Sequence, residues 1–356
     1  MTCQRAAVDR RELFLGACRC EPVERVPVWI MRQAGRYLPE YQAVRQKYSF
    51  LQICKTPELA AEVSLQPFRI LSVDAIIIFS DILIPAEAMG LPLEIGDFGP
   101  QISTPVRDRS QIESLAIFDP ELQTRFVVDT IRMLCRAVGT EVPIIGFAGA
   151  PWTVACYMLE GRSKEGFPEA KRFLYEQPRL LRILLEKIAR VTANYLSAQI
   201  AAGACAVQIF DTWAGELSQK DYLDFALPAT QSLIAELKPR KVPVILYTKG
   251  SSHLVACLRQ AGADVLSVDW RQELAQIRQI VGDRVALQGN VDPCVLLGSV
   301  DVIDRTVRET IAQTGGLGHI LNLGHGILPV TPVESARAFV RAGQKYGING
   351  AATPGG

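Results

Sequence analysis

Two arginines stand four residues apart at the end of an apolar run near the N-terminus. Arg32 and Arg36 occur in the stretch RQAGR. Guanidinium groups bind carboxylates through two parallel hydrogen bonds, so this pair predicts capture of an acidic ligand. Arginines at this spacing are also common on solvated helix surfaces, and the spacing alone leaves that interpretation open.

Other polar residues end or follow apolar runs further along the chain: Asp81, Asp211, Thr212, Lys249, Asp269, Asn290 and His325. Polar groups are costly to bury in a dry core, so we expect these run ends to face a common cleft. An ionised carboxylate such as that of Asp81 can accept several hydrogen bonds. An aspartate after a serine is also a common turn residue, and the position alone does not exclude that structural role.

Eight short β-rich runs alternate with helical segments and would position these residues. The runs are 27–33, 73–80, 142–148, 206–212, 242–248, 264–269, 285–290 and 319–323. Most are almost continuously apolar, which is typical of parallel strands buried on both faces. Eight such repeats predict an α/β fold, a closed (β/α)8 TIM barrel with its active site at the C-terminal ends of the strands. An open doubly wound sheet is the alternative.

The same pattern predicts one domain over residues 1–356, with about ten flexible residues at each end. Extra length falls in the early βα connections, at 34–56, 83–120 and 157–172. No linker or low-complexity tract separates a second domain.

Charge, hydropathy and cysteine usage restrict the class of protein. Lys and Arg number 38 against 37 for Asp and Glu, a balance that argues against nucleic-acid binding. The apolar runs are too short to cross a bilayer, and no secretory signal is evident. Nine cysteines without a C-x-x-C motif predict reduced thiols in a reducing compartment. We expect the cytoplasm, with a plastid as the open alternative.

Two longer segments are far more specific than this pattern. They are Val28–Tyr41 (VWIMRQAGRYLPEY) and Gly146–Gly161 (GFAGAPWTVACYMLEG). Together with FSDIL at 79–83, FDTWAG at 210–215, QGNVDP at 288–293 and NLGHGILPVTP at 322–332, they resemble the motifs of the uroporphyrinogen decarboxylase family, in the same order. The resemblance runs from about residue 10 to about residue 346.

This resemblance implies a barrel enzyme that removes the four acetate carboxylates of uroporphyrinogen III. The products would be coproporphyrinogen III and CO2, in the biosynthesis of haem and chlorophyll. It implies no cofactor and no metal, because a protonated pyrrole ring is itself an electron sink. It also implies a small-molecule tetrapyrrole substrate, no membrane partner and a homodimer.

The resemblance also assigns the site. The catalytic residues would be Asp81, Arg32 and Tyr157. The substrate-binding residues would be Arg32, Gln33, Ala34, Gly35, Arg36, Arg45, Asp81, Tyr157, Thr212 and His325. Asp81 would accept hydrogen bonds from the pyrrole N–H groups, and Thr212 stands where the family often has serine. The proton donor stays open between Arg32 and a water-relayed acid, because arginine is a poor general acid.

Two alternative functions remain at this point. The first is a related zinc-dependent methyltransferase acting on corrinoids or thiols, which would bind zinc through a His-x-Cys motif and a distant cysteine. At the position of the His-x-Cys motif this chain has Thr248-Lys249-Gly250, and at the position of the distant cysteine it has His325. The second alternative is a tetrapyrrole carrier without catalysis, against which the set Arg32, Asp81, Tyr157 and His325 argues.

Overall fold

A parallel sheet of seven strands forms the centre of the computed structural model, which describes residues 8–96 and 99–346. The strands are β1 Ile76–Ile77, β2 Leu93–Gly96, β3 Gly99–Ile102, β4 Ile144–Gly149, β5 Ala206–Asp211, β6 Val244–Thr248, β7 Val265–Ser267, β8 Ala286–Val291 and β9 His319–Leu323. Seven of them pair in chain order as β1-β4-β5-β6-β7-β8-β9, and β2 and β3 form a separate antiparallel hairpin. The termini predicted to be flexible fall mainly on residues outside the described ranges.

Helices alternate with the strands. The α-helices are α1 Arg10–Cys18, α2 Pro39–Arg45, α3 Phe50–Lys55, α4 Pro57–Leu71, α5 Ile84–Ala88, α6 Arg109–Ser114, α7 Pro120–Gln123, α8 Arg125–Val138, α9 Pro151–Glu160, α10 Pro168–Glu176, α11 Pro178–Ala201, α12 Gln219–Asp221, α13 Leu227–Leu237, α14 Val255–Leu258, α15 Leu274–Val281, α16 Val300–Ala312 and α17 Val333–Tyr346. Short 3-10 turns lie at Ala214–Glu216, Lys238–Arg240, Ser252–Leu254, Arg259–Ala261 and Pro293–Leu297, and a π-helical turn at Tyr222–Ala226. In the described ranges, no helix is long and apolar enough to span a membrane.

The alternation of helices with parallel strands confirms the predicted α/β fold class. Every residue of β4, β6, β8 and β9 is buried, because helices or other strands cover both faces of the sheet. The long connection 83–120, which was predicted only as extra length, contains α5, the β2–β3 hairpin and α6. It follows β1, so it adds structure at the C-terminal edge of the sheet, where the site is expected.

The first predicted strand, 27–33, is not a regular strand. It forms one parallel bridge, between Val28 and Leu321 of β9. Beyond that bridge, side chains take the place of ladder partners: the Ile30 N–H donates to Oε1 of Gln33 at 3.2 Å, and the Met31 N–H donates to Oδ1 of Asn322 at 2.8 Å. The prediction of a strand through residue 33 was therefore wrong.

The second predicted strand, 73–80, shortens to Ile76–Ile77 for a similar reason. The N–H of Phe79 donates to Oγ of Ser64 in α4 at 2.8 Å, which removes it from the ladder. Helix α4 itself begins at Pro57, because proline suits the first turn of a helix, and the side chain of the preceding Thr56 makes no capping hydrogen bond.

A buried ion pair holds the segment before Val28 against the entrance of β1. The guanidinium of Arg25 makes two hydrogen bonds to the carboxylate of Asp74, at 2.6 and 2.7 Å, and both residues are buried. The same carboxylate accepts the Val28 N–H at 2.9 Å. Sequence segments 46 residues apart are thereby joined at the N-terminal end of β1, the end opposite Asp81.

We expect Asp74→Ala to lower the free energy of unfolding by about 3–5 kcal/mol, because it leaves the Arg25 charge buried and unpaired. Urea denaturation followed by circular dichroism measures this loss. The control is Glu113→Ala, which breaks an exposed pair with Arg109 that should contribute less than about 1 kcal/mol. Equal stability losses in the two variants would contradict the structural importance of the buried pair.

Candidate active site

Arg32 takes an unusual backbone conformation beside the end of β9. Its φ is 61°, in the left-handed region that residues with a side chain rarely adopt, and such strain is concentrated at functional sites. Its side chain lies directly against Gly326, where a Cβ atom would collide with the arginine Cγ and Cδ. A glycine at 326 is therefore needed for Arg32 to occupy this position.

Asp81 follows β1 and is partly exposed. Its Oδ1 atom accepts the Leu83 N–H at 2.8 Å, and its Oδ2 atom has no hydrogen-bond partner among the residues that the structure describes. Burial raises the pKa of the Asp81 carboxyl, while the Leu83 N–H and the positive charge of Arg32 act in the opposite direction. The turn contact expected of an aspartate after serine is thus present, and one oxygen still remains free for a ligand.

Tyr157 lies on α9, in an aromatic wall with Phe167 and Trp213. The ring centroids of Tyr157 and Trp213 are 6.5 Å apart, and those of Phe167 and Trp213 are 4.8 Å apart. Burial, reinforced by the negative charge of Asp81, raises the pKa of the Tyr157 hydroxyl. The hydroxyl therefore stays protonated and can donate a hydrogen bond.

His325 follows β9 and stacks on Tyr247 of β6, with ring centroids 6.0 Å apart and an interplanar angle of 6°. Nδ1 of the histidine lies 2.9 Å from the Tyr247 hydroxyl. Burial, together with the positive charges of Arg32, Lys249 and Arg271, lowers the pKa of His325 to about 3. The imidazole is therefore neutral at physiological pH.

The backbone at 33–35 turns toward the same region. The side chain of Gln33 is buried and donates to the Ala75 carbonyl at 3.0 Å. The N–H groups of Ala34 and Gly35 have no hydrogen-bond partner within 8–96 and 99–346. Thr212 is half-buried immediately after β5, so its hydroxyl also lies at the C-terminal edge of the sheet.

Arg36 and Arg45 lie around Tyr41 of α2. The positive charges of both arginines act on the Tyr41 hydroxyl, and Arg45 also donates to the Tyr48 carbonyl. The ring of Tyr41 packs on Phe79, two residues before Asp81, at 5.7 Å. The structure thus groups Arg32 with Asp81, Tyr157 and His325, and places Arg45 at the end of α2 and Arg36 just before that helix.

Three of the polar strand ends, Asp211, Asp269 and Asn290, are buried, so their predicted exposure to a cleft was wrong. Asp211 accepts a hydrogen bond from Oγ1 of Thr153 at 2.8 Å, and burial raises its pKa to about 7. The side-chain amide of Asn290 donates to two backbone carbonyls, those of Asp269 and Gln272. Partners inside the protein thus bind Oδ1 of Asp211 and the Asn290 amide, whereas Oδ2 of Asp211 is buried without a hydrogen-bond partner among the described residues.

The sequence reasoning missed three features of the site. Trp213 faces Tyr157, Lys249 lies with its ammonium 5.8 Å from the centre of the Trp213 ring, and Arg271 pairs with Asp269. Lys249 and Asp269 stood out as strand-end polar residues, but the sequence pattern gave them no role. Arg271 follows Asp269 by two residues, and that spacing was the available signal.

A parallel α/β sheet with a cluster of charged and hydrogen-bonding side chains at its C-terminal edge defines an enzyme of the barrel-like class. The chain belongs to the uroporphyrinogen decarboxylase family, whose model matches residues 9–346.

Individual relatives agree with this membership. The uroporphyrinogen decarboxylase of Geobacter metallireducens is 50% identical over 324 residues, which is 91% of this chain and 95% of that protein. The one of Pelobacter propionicus is 51% identical and covers 93% and 98% of the two chains. Among solved structures, a methyltransferase from Methanosarcina mazei superposes with a TM-score of 0.83 over 96% of this chain and 99% of its own. It is 24% identical, so it supports the fold alone.

Proposed function

We propose that this chain is a uroporphyrinogen decarboxylase, which converts the four acetate side chains of uroporphyrinogen III to methyl groups and releases coproporphyrinogen III and CO2. Family membership and relatives of about half-identical sequence support the reaction. The geometric observation that supports the site is Asp81, which presents one free carboxylate oxygen beside Arg32 and Tyr157.

The reaction needs a place for the electron pair left when CO2 departs. Protonation of the pyrrole carbon next to the acetate arm makes the ring cationic, and the electrons of the breaking C–C bond then flow into the ring. Addition of a proton to the exocyclic CH2 that remains, and loss of the proton from the ring carbon, complete the step. The net change for each arm is RCH2COO⁻ + H⁺ → RCH3 + CO2.

Asp81 stabilises this cationic ring. Its free oxygen accepts hydrogen bonds from the inward-turned pyrrole N–H groups. The attraction between its negative charge and the ring becomes stronger when the ring becomes positive. Tyr157 donates a hydrogen bond to an acetate near that carboxylate. Arg32 is held beside them by its contact with Gly326 and is either the proton donor or the anchor of the reacting carboxylate.

The remaining carboxylates of the substrate meet cations and donors around the cleft. Arg36 and Arg45 bind outer carboxylates from the side of α2. The free N–H groups of Ala34 and Gly35 supply backbone donors, and the Gln33 side chain fixes that turn. Thr212 donates a hydrogen bond from its hydroxyl. Neutral His325 donates from its Nε2 atom when its Nδ1 atom accepts a hydrogen bond from the Tyr247 hydroxyl.

A closed eight-stranded barrel and a single domain over residues 1–356 are part of the same proposal. Segment 27–29 lies between the first and last strands of the sheet, since Val28 bridges Leu321 on one side and its carbonyl accepts the Asp74 N–H at 2.8 Å on the other. This short eighth element would close the curved sheet around the site.

We also propose a homodimer in a reducing compartment. The cysteines within the described ranges are free thiols, as expected where glutathione keeps thiols reduced. The homodimer rests on the family resemblance, and light scattering coupled to size-exclusion chromatography measures it.

The proposed reaction is tested by incubating the protein anaerobically with uroporphyrinogen III, with and without a metal chelator, and following the side chains by chromatography. The expected result is the stepwise appearance of compounds with seven, six, five and four carboxylates, at equal rates with and without the chelator. Bound but unchanged substrate would instead identify a carrier. A reaction abolished by the chelator and restored by zinc would point to metal-dependent chemistry.

A further inference from the structure

Lys249 lies at the C-terminal end of β6, immediately after Thr248. It is half-buried, and its ammonium lies 5.8 Å from the centre of the Trp213 ring. Because Trp213 packs against Tyr157, this contact places Lys249 on the aromatic wall of the candidate site. No carboxylate forms a salt bridge with Lys249 in the part of the chain that the structure describes.

Arg271 stands beside it, held by the carboxylate of Asp269. That carboxylate accepts the N–H of Gly250, the residue after Lys249, at 2.6 Å and also pairs with the Arg271 guanidinium. The guanidinium stacks on the Trp270 ring at 4.9 Å. One buried aspartate therefore organises two cationic residues at the ends of neighbouring strands.

The same group of residues contacts the segment that carries His325. Gly324 packs directly against Asp269 and Trp270, while Gly326 packs against Arg32. Burial and the positive charges of Arg271 and Arg32 lower the pKa of the Lys249 ammonium, while the more weakly acting negative charges of Asp269 and Glu216 oppose that shift. Three cations thus lie in one electrostatic neighbourhood, and Asp269 pairs with only one of them, Arg271.

We infer that Lys249, with Arg271 beside it, is a second carboxylate-binding site for a side chain of the tetrapyrrole, on the β6–β7 side of the cleft. Lys249 forms no salt bridge within the described ranges, so an anion that binds beside it offsets its repulsion from Arg271 and Arg32, and the substrate is a polyanion. Strand β6 is three strands along the sheet from β1, so we assign to this site a side chain of the ring other than the reacting acetate. The inference rests on the proposed function.

The test compares steady-state kinetics of the parent enzyme with Lys249→Met, Lys249→Arg and Lys241→Met, using uroporphyrinogen III. Loss of one charge-assisted hydrogen bond should raise KM about tenfold in Lys249→Met and leave kcat within about twofold. Lys249→Arg should recover most of the affinity. Lys241 precedes the other end of the same strand β6, so Lys241→Met removes an equal charge and should leave both constants unchanged.

The substrate series separates the two kinds of carboxylate. If the KM effect persists with the pentacarboxylate intermediate, the site binds a propionate, because the propionates are retained throughout. If the effect disappears there, it binds an acetate. Arg271→Met, expected to raise KM about threefold, provides a second test if Lys249→Met does not fold.

Two results would overturn the inference. One is an unchanged KM in both Lys249→Met and Arg271→Met with the parent enzyme active. The other is a loss of kcat alone, since that would place Lys249 at the reacting carbon. A parent enzyme that leaves uroporphyrinogen unchanged would instead overturn the proposed function, so the two failures are distinguishable.

Discussion

Asp81→Asn is expected to lower kcat by about 100- to 1000-fold while leaving the fold and the affinity for the substrate nearly intact. The amide has almost the same shape, and its oxygen can still accept the Leu83 N–H. It lacks the negative charge that stabilises the protonated pyrrole, and a group acting mainly on the charge of the transition state affects kcat more than KM. Single-turnover assays of the first decarboxylation measure the effect.

The matched control is Asp119→Asn. Asp119 is exposed, and its Oδ1 accepts the N–H of Glu121, two residues ahead, at 3.0 Å, which is the same local contact that Asp81 makes. The control removes an equal charge from an equivalent turn remote from the site, so its rate should equal that of the parent. A nearly normal rate for Asp81→Asn would refute the catalytic role of this carboxylate.

Arg32→Met is expected to lower kcat/KM by about 100-fold, because a bidentate contact with a substrate carboxylate is lost. Arg32→Lys should recover only a small part, since an ammonium cannot reproduce the planar pair of donors. Initial rates at several concentrations of uroporphyrinogen III measure both variants. The control is Arg69→Met, which removes an exposed arginine paired with Glu62 on α4.

Gly326→Ala tests the same residue without removing a charge. The added methyl group would occupy the space of the Arg32 side chain and displace the guanidinium. The kcat/KM of this variant should therefore decrease, as that of Arg32→Met does. Its thermal stability is measured in parallel. If both Arg32→Met and Gly326→Ala kept the kinetics of the parent, the carboxylate-binding role of Arg32 would be wrong.

The sequence predicted most of the architecture because its apolar runs are local signals. Strand β9 has the bounds of the predicted run 319–323, and β5 and β6 lie within the predicted runs 206–212 and 242–248. The short β1 was not predictable, because its end depends on the Ser64 side chain, which approaches Phe79 only after α4 packs on the sheet. Long-range side-chain contacts of this kind have no local sequence signature.

The site residues also divide into those that sequence motifs predict and those that depend on long-range contacts. Arg32, Asp81, Tyr157 and His325 lie in motifs that the family shares, and the structure places them near one another. Arg271 depends instead on the register of β6 beside β7, which brings Gly250 and Asp269 into hydrogen-bonding distance. Asp211 looked equally polar at its strand end, and only the position of Thr153 in the fold reveals that it is buried.

The shared neighbourhood of Arg32, Lys249 and Arg271 has a consequence for turnover. In the proposed reaction the substrate arrives with eight negative charges and departs with four, whereas these cations do not change. Coulomb attraction to the cleft therefore declines with each CO2 released. Early intermediates are retained more strongly than the finished tetracarboxylate, which limits inhibition by product and favours completion of all four steps.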